Sequence, residues 1–323
     1  MNSKKKIING VCDILTKVGF YVSPLLHMSG RSFDIIARRD NILIFVKVIL
    51  NIDNLKEADM NALYKIATTL DASPIVIGSH AGYTEIENGI IYMRFNIPVV
   101  TIETLRDLLL EGVPPFLFSA HGGVFAKVDG ESLRNIMNER GISLGAMAEA
   151  VGVSRKTIQL YEEGGGGRID IIERIETFIQ TAIVKPLNPL LFSEINKNIT
   201  YTESCNENEG MDDFGGIGEV FRIITSKGVK IIPLRKCPFD GVMIIGNKYL
   251  TTIGSKNELK VRTKIVFPVS RIIERIPLAI VTDQYANDSK AINGVPVITK
   301  NEMSDINESV ELMDLIKMRI VKI

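Results

Sequence analysis

Residues 143–163, SLGAMAEAVGVSRKTIQLYEE, restrict the fold more than any other stretch of this chain. Leu144, Met147, Ala148 and Val151 recur at helical spacing and share one face. Gly152 follows at once, and a glycine takes positive φ without steric cost and ends a helix. Ser154 has the chemistry to cap a new helix, because its hydroxyl can accept from a backbone N–H two or three residues on. Ile158, with Tyr161 or Leu160, gives that helix an inward face. Arg155, Lys156 and Gln159 fall on the other side. Two short helices joined by a tight glycine turn, the second polar and basic, make a helix-turn-helix.

That arrangement suits a reader of double-stranded DNA. A B-form major groove admits one α-helix, and the first residues of that helix meet base edges while the preceding helix crosses the backbone. Arg155 or Lys156 can pair with guanine O6 and N7, and Gln159 with adenine N6 and N7. Ser154 and Thr157 can bind phosphate oxygens, which position the helix without reading sequence. Leu160 can meet a thymine methyl instead of joining the core.

The stretch resembles the lambda-repressor-like Cro/cI helix-turn-helix family at Ala148, Gly152, Val153, Ser154, Ile158 and Tyr161-Glu162. LRNIMNERG precedes it and IIERIETFI follows, so the resemblance covers about residues 130–185. It departs at Gly145, near which many members carry a glutamine or similar polar residue. The four glycines 164–167 are expected to leave a floppy connection after the second helix.

The 323 residues suffice for two or three domains. With 38 basic and 38 acidic side chains the chain is no general DNA coater. Residues 121–163 hold five basic side chains, Lys127, Arg134, Arg140, Arg155 and Lys156, against six acidic ones, so weak, salt-sensitive non-specific binding is expected. Cys12, Cys205 and Cys237 lack metal-ligand spacing and read as reduced thiols of a cytoplasmic protein. His27, His80 and His121 stand singly. No signal peptide and no apolar run long enough to cross a membrane is expected.

Before the helix-turn-helix the pattern is α/β. Residues 6–19 read as an amphipathic helix ended by Gly19. FYVSPL, RSFDIIARR and ILIFVKVIL read as strands, the last apolar enough for a sheet centre. NLKEADMNALYKIATTL reads as a helix, SPIVIGSH and IIYMRF as strands, and IPVVTIETLRDLLLEG as a strand and helix. VPPFLFSAHGGVFAKVDG reads as a connection turning at Gly122-Gly123. From 219 the order returns. EVFRIITSKGVKIIPL resembles VCDILTKVGFYVSPL, CPFDGVMIIGNKYLTTIGSK resembles RSFDIIARRDNILIFVKV, and GVPVITKNEMSDI resembles IPVVTIETLRDL. The shared Phe-Asp and Pro-Leu placements favour an internal duplication.

A Phe-Asp strand followed by a strand bearing lysine resembles the restriction-endonuclease-like fold of archaeal Holliday-junction resolvases. The resemblance implies a metal held by the aspartate and a following Asp/Glu-x-Lys. Here Asp34 and Lys47 stand in matching positions, but Phe45 occupies the second carboxylate's place. The second copy keeps Asp240, and its strand YLTTIGSK has no Asp/Glu-x-Lys. Catalysis is therefore not expected, Lys47 is expected to find Asp34 as partner, and Arg31, Arg38 and Arg39 are candidates for phosphate contacts.

The expected architecture is α/β plus all-α. Two degenerate restriction-endonuclease-like α/β domains, 1–115 and 217–323, flank a lambda-repressor-like helix-turn-helix domain, 128–190, with a linker at 191–216. The whole resembles an archaeal family of helix-turn-helix transcriptional regulators. The expected function is sequence-specific DNA binding through helix 154–163 by Ser154, Arg155, Lys156, Thr157, Gln159 and Leu160. No catalytic residue, metal or cofactor is expected. The resemblance to nucleases implies a homodimer on a near-palindromic operator. The alternatives are a metal-dependent structure-selective nuclease or repair factor using the N-terminal domain, and a non-catalytic assembly factor.

Overall fold

The computed structural model describes residues 2–24, 31–120, 122–191, 214–283, 290–306 and 308–320. His27, His121, Cys205 and residues 192–213 of the expected linker lie outside the described residues. Contacts divide the chain into two compact units, one of Met1–Gly19, Val46–Leu55 and Ser73–Thr202, the other of Phe20–Phe45, Lys56–Ala72 and Glu203–Ile323.

In chain order the first third gives α1 (Asn2–Lys17), β1 (Tyr21–Pro24), β2 (Ile35–Arg39), β3 (Ile42–Val48), α2 (Glu57–Thr69), β4 (Ser73–Ile77), β5 (His80–Ala81), β6 (Thr84–Glu85), β7 (Ile90–Arg94), β8 (Ile97–Val100) and α3 (Ile102–Arg106). Helix α1 starts earlier than its apolar period suggests, because the polar residues 2–6 can continue a helix without contributing to the core. It buries Ile8, Val11, Ile14 and Leu15, and Gly19 turns the chain at φ 85°. The middle gives β9 (Leu117–Ala120), β10 (Gly123–Val128), α4 (Gly130–Glu139), α5 (Leu144–Val151), α6 (Arg155–Glu162), β11 (Gly166–Arg168), α7 (Ile169–Ile179) and β12 (Val184–Lys185). The last third gives α8 (Gly216–Ser226), β13 (Lys230–Pro233), β14 (Gly241–Ile245), β15 (Asn247–Gly254), α9 (Lys256–Ile273), β16 (Ile276–Val281), β17 (Ala291–Ile292), β18 (Val295–Thr299), α10 (Lys300–Asp305) and α11 (Ser309–Ile320).

In the first unit the strands run in the order β4, β8, β7, β9, β10, β11, after the last residues of β3. β4 and β8 are parallel, β7 is antiparallel to β8, and β9 lies parallel to β7 with Ile91 opposite Phe118. The segment read as a connection is thus partly a strand of this sheet. It turns at Gly122 and Gly123, both at positive φ, into β10. The glycine run also differs from expectation. Gly166–Arg168 forms β11, with Gly167 opposite Ala126, because without side chains this backbone closes against Tyr161 and Leu160. A Cβ at Gly167 would stand 2.8 Å from the Tyr161 ring, and one at Gly165 would stand 2.8 Å from the Leu160 carbonyl oxygen.

The second unit holds β1, β2 and the start of β3, with Tyr21 opposite Arg38, and a sheet ordered β13, β14, β15, β16, β18, β17. In that sheet β13 to β15 are antiparallel, β15, β16 and β18 parallel, and β17 antiparallel to β18. Phe221, Ile224, Met243, Ile253, Ile280 and Leu312 pack one face of it. Left-handed residues recur at matching places in the N-terminal and C-terminal series. Gly19 and Gly228 follow the first helix. Asp40 and Gly246 turn the hairpin. Asp71 and Glu274 follow the long helix. Asn96 and Gly294 turn the last hairpin. No helix of the described residues is long and apolar enough to cross a membrane.

Candidate nucleic-acid interface

Helices α4 to α7 close over Ala126 and Val128 of β10, burying Leu133, Met137, Met147, Ala148, Val151, Ile158, Tyr161, Ile172, Ile175 and Ile179. Ser143 caps α5 by accepting from Ala146 N at 3.1 Å. Gly152, at φ 71°, ends that helix, and Val153 N donates to the Ala148 carbonyl at 3.0 Å. Ser154 then caps α6, its Oγ accepting from Thr157 N at 3.1 Å and lying 2.8 Å from Thr157 Oγ1. Such a cap is worth about 1 kcal/mol.

Tyr161 takes the inward place that sequence left open between it and Leu160. Tyr161 is 3% exposed and Leu160 50%. Burial pushes the Tyr161 hydroxyl above its ordinary pKa, with the nearby Asp170 charge adding to the effect. Ser154, Arg155, Lys156, Gln159 and Leu160 are exposed, and Thr157 is half-buried. Gln159 donates to Glu163 at 3.2 Å. The Arg155 guanidinium lies over Gly145, where an added Cβ would stand 3.0–3.2 Å from three of its atoms. The departure at Gly145 therefore makes room for Arg155.

Sequence reading missed three arginines that close helix ends. Arg174 of α7 donates to the Val151 carbonyl at 2.7 Å, at the end of α5. Arg134 of α4 donates to the Glu162 carbonyl at 2.9 Å, at the end of α6. Arg140 donates to the Ile179 carbonyl at 2.5 Å, at the end of α7. Each puts a cation on orphan carbonyls at the negative end of a helix dipole. Of the five basic residues counted along 121–163, two are therefore spent on the scaffold. Arg168, which is bonded to Asp170 at 3.0 Å, holds that carboxyl below its ordinary pKa.

The nuclease-like positions are engaged differently. Asp240 Oδ1 accepts from Arg262 at 2.7 Å and its Oδ2 from Ile253 N at 2.7 Å, while Arg262 also donates to the Ile253 and Pro238 carbonyls. An aspartate clamped by a guanidinium and a backbone amide is a structural anchor, with both oxygens already used. The strand that would carry the next carboxylate holds buried Thr251 and Thr252 instead. In the N-terminal series Phe45 is buried against Phe33, with ring centroids 4.9 Å apart. The arginines considered for phosphate contacts turn inward. Arg31 is 7% exposed, Arg38 pairs with Glu274 at 2.7 Å, and Arg39 lies 4.9 Å over the Phe20 ring.

Comparison with known proteins gives two results. Residues 4–115 match the PD-(D/E)XK superfamily domain. Proteins named "Putative HTH-type transcriptional regulatory protein" align over nearly the whole chain. The one from Archaeoglobus fulgidus is 32% identical over 96% of this chain and 97% of its own. The one from Methanocella arvoryzae is 30% identical over 99% and 98%, and the one from Methanocorpusculum labreanum is 31% identical over 97% and 98%.

Proposed function

Because the chain belongs to this archaeal family of HTH-type transcriptional regulatory proteins, with a PD-(D/E)XK superfamily domain at its N-terminus, we propose that it regulates transcription by binding double-stranded DNA sequence-specifically. The observation that carries the reading is α6, where a buried apolar stripe, Ile158 and Tyr161, leaves Arg155, Lys156, Gln159 and Leu160 together on the exposed side. In this reading the four side chains meet base edges, and Ser154 and Thr157 meet phosphates. Residues 128–190 act as a Cro/cI-type domain. Residues 1–115 and 217–323 act as duplicated, non-catalytic nuclease-like domains. The common strand order and the matching left-handed residues support the duplication. Phe45 and the Asp240–Arg262 pair support the loss of catalysis.

The test is selection from a random-sequence DNA pool at about physiological salt with Mg²⁺, using the parent and Arg155→Ala/Lys156→Ala. The expected outcome is a motif recovered by the parent and lost by the variant. Arg155→Ala alone should cost about 1–3 kcal/mol on that motif. Equal binding by the variant refutes the assignment of α6. A second reading, a metal-dependent nuclease, draws on the superfamily match. Mg²⁺-dependent cleavage abolished by Asp34→Ala would establish it.

A further inference from the structure

Within the second unit, pieces of the N-terminal and C-terminal α/β series meet through equivalent elements. Asp71 follows α2 at φ 56°, and Glu274 follows α9 at φ 56°. Asp71 takes Lys248, on the β14–β15 hairpin, at 2.5 Å and Arg275 at 3.7 Å. Glu274 takes Arg38, on the equivalent β2–β3 hairpin, at 2.7 Å, and Arg38 also donates to the Ile273 carbonyl at 3.3 Å. Helix α9 packs on β1 and β2, and α2 answers with an ion pair from Asp59 to Lys236. Between these contacts the two segments that enter the Phe-Asp strands touch. Ser32 N and Oγ donate to the Lys236 carbonyl at 3.2 and 3.3 Å.

The acid after each long helix pairs with a cation on the hairpin of the other series, Asp71 with Lys248 and Glu274 with Arg38, and this exchange has the reciprocity of a two-fold interface between identical subunits. Here it is closed inside one chain.

We infer that the second copy takes the place of a second subunit, so that one chain presents one recognition helix and its DNA target is a single asymmetric site, not a palindrome. The inference rests on the DNA-binding reading above. It replaces the homodimer expected from pairing of nuclease-like domains between chains.

The test is native mass spectrometry of the full chain at micromolar concentration, alone and on duplexes carrying the motif recovered by selection. The expected result is one chain in solution, one chain per duplex and a motif without internal symmetry. A two-chain species alone, or two chains on half-sites about one helical turn apart, overturns the inference and leaves the DNA reading standing. Absence of any sequence-dependent DNA complex sinks the DNA reading, and the inference falls with it.

Discussion

Replacing Gly130 by alanine adds one methyl group at the first residue of α4. Its Cβ would stand 2.3 Å from the Glu162 carbonyl oxygen, 2.5 Å from Gly164 N and 2.6 Å from the Glu162 carbonyl carbon. All three are backbone atoms, so no side-chain rotation relieves the clash. A carbon meets a carbonyl oxygen comfortably at about 3.3 Å, so α4 or the end of α6 must move by about 1 Å. Overpacking of this kind costs about 1–3 kcal/mol, and an immovable backbone places it at the upper end. Alanine recovers at most about 1 kcal/mol through helix propensity. The net loss is about 2 kcal/mol, which lowers the melting midpoint by roughly 4–8 °C for a unit of this size.

The same substitution at Gly145 gives the opposite pattern. There the Cβ meets the free end of the Arg155 side chain, which can swing away. Stability should stay within about 0.5 kcal/mol of the parent, while affinity for the selected motif shifts because Arg155 has lost its seat. Calorimetric melts of both variants, with DNA titrations at fixed salt, separate the two effects. A Gly130→Ala protein that melts with the parent, or a Gly145→Ala protein that loses as much stability, refutes the close-packing argument.

Asp240→Ala strands the half-buried Arg262 guanidinium and should destabilise by about 3 kcal/mol. An unchanged midpoint would show that the pair is dispensable. Burial, with Asp13 adding to it, pushes the Cys12 thiol up to about 11, and burial also raises Cys237. Because the thiolate is the reactive form, alkylation of native Cys12 at pH 8 should be far slower than that of a free cysteine and should climb with pH toward 11. Alkylation at the free-thiol rate would contradict this. Ser154→Ala should cost about 1 kcal/mol of stability and Ser154→Gly only a few tenths, as read by chemical denaturation. Equal losses would mean that the cap geometry does not matter.

Much of the scaffold was legible in order along the chain. The apolar spacing of 144–151, Gly152 and Ser154 set two helices and their turn through local physics alone, namely a face to bury, a residue free to take positive φ and a hydroxyl to cap. The strands of both α/β series were legible from their apolar runs. The choice of Tyr161 over Leu160 was not legible, because both lie near the edge of the inward face and only packing decides between them.

Other features depended on residues far apart in sequence. Gly166 and Gly167 look like part of a loose connection in one dimension, yet with Arg168 they form a strand on β10, where a Cβ at Gly167 would meet the Tyr161 ring. Nothing local to Arg134, Arg140 or Arg174 shows that the folded chain brings each to the carbonyl end of another helix. Arg38 reads as a candidate for phosphate contacts until the fold pairs it with Glu274, and nothing local to Asp71 points to Lys248. Periodicity and capping act over a few residues and can be read from sequence. Close backbone approach and charge pairing act through space, so they were decided only when the tertiary structure brought those residues together.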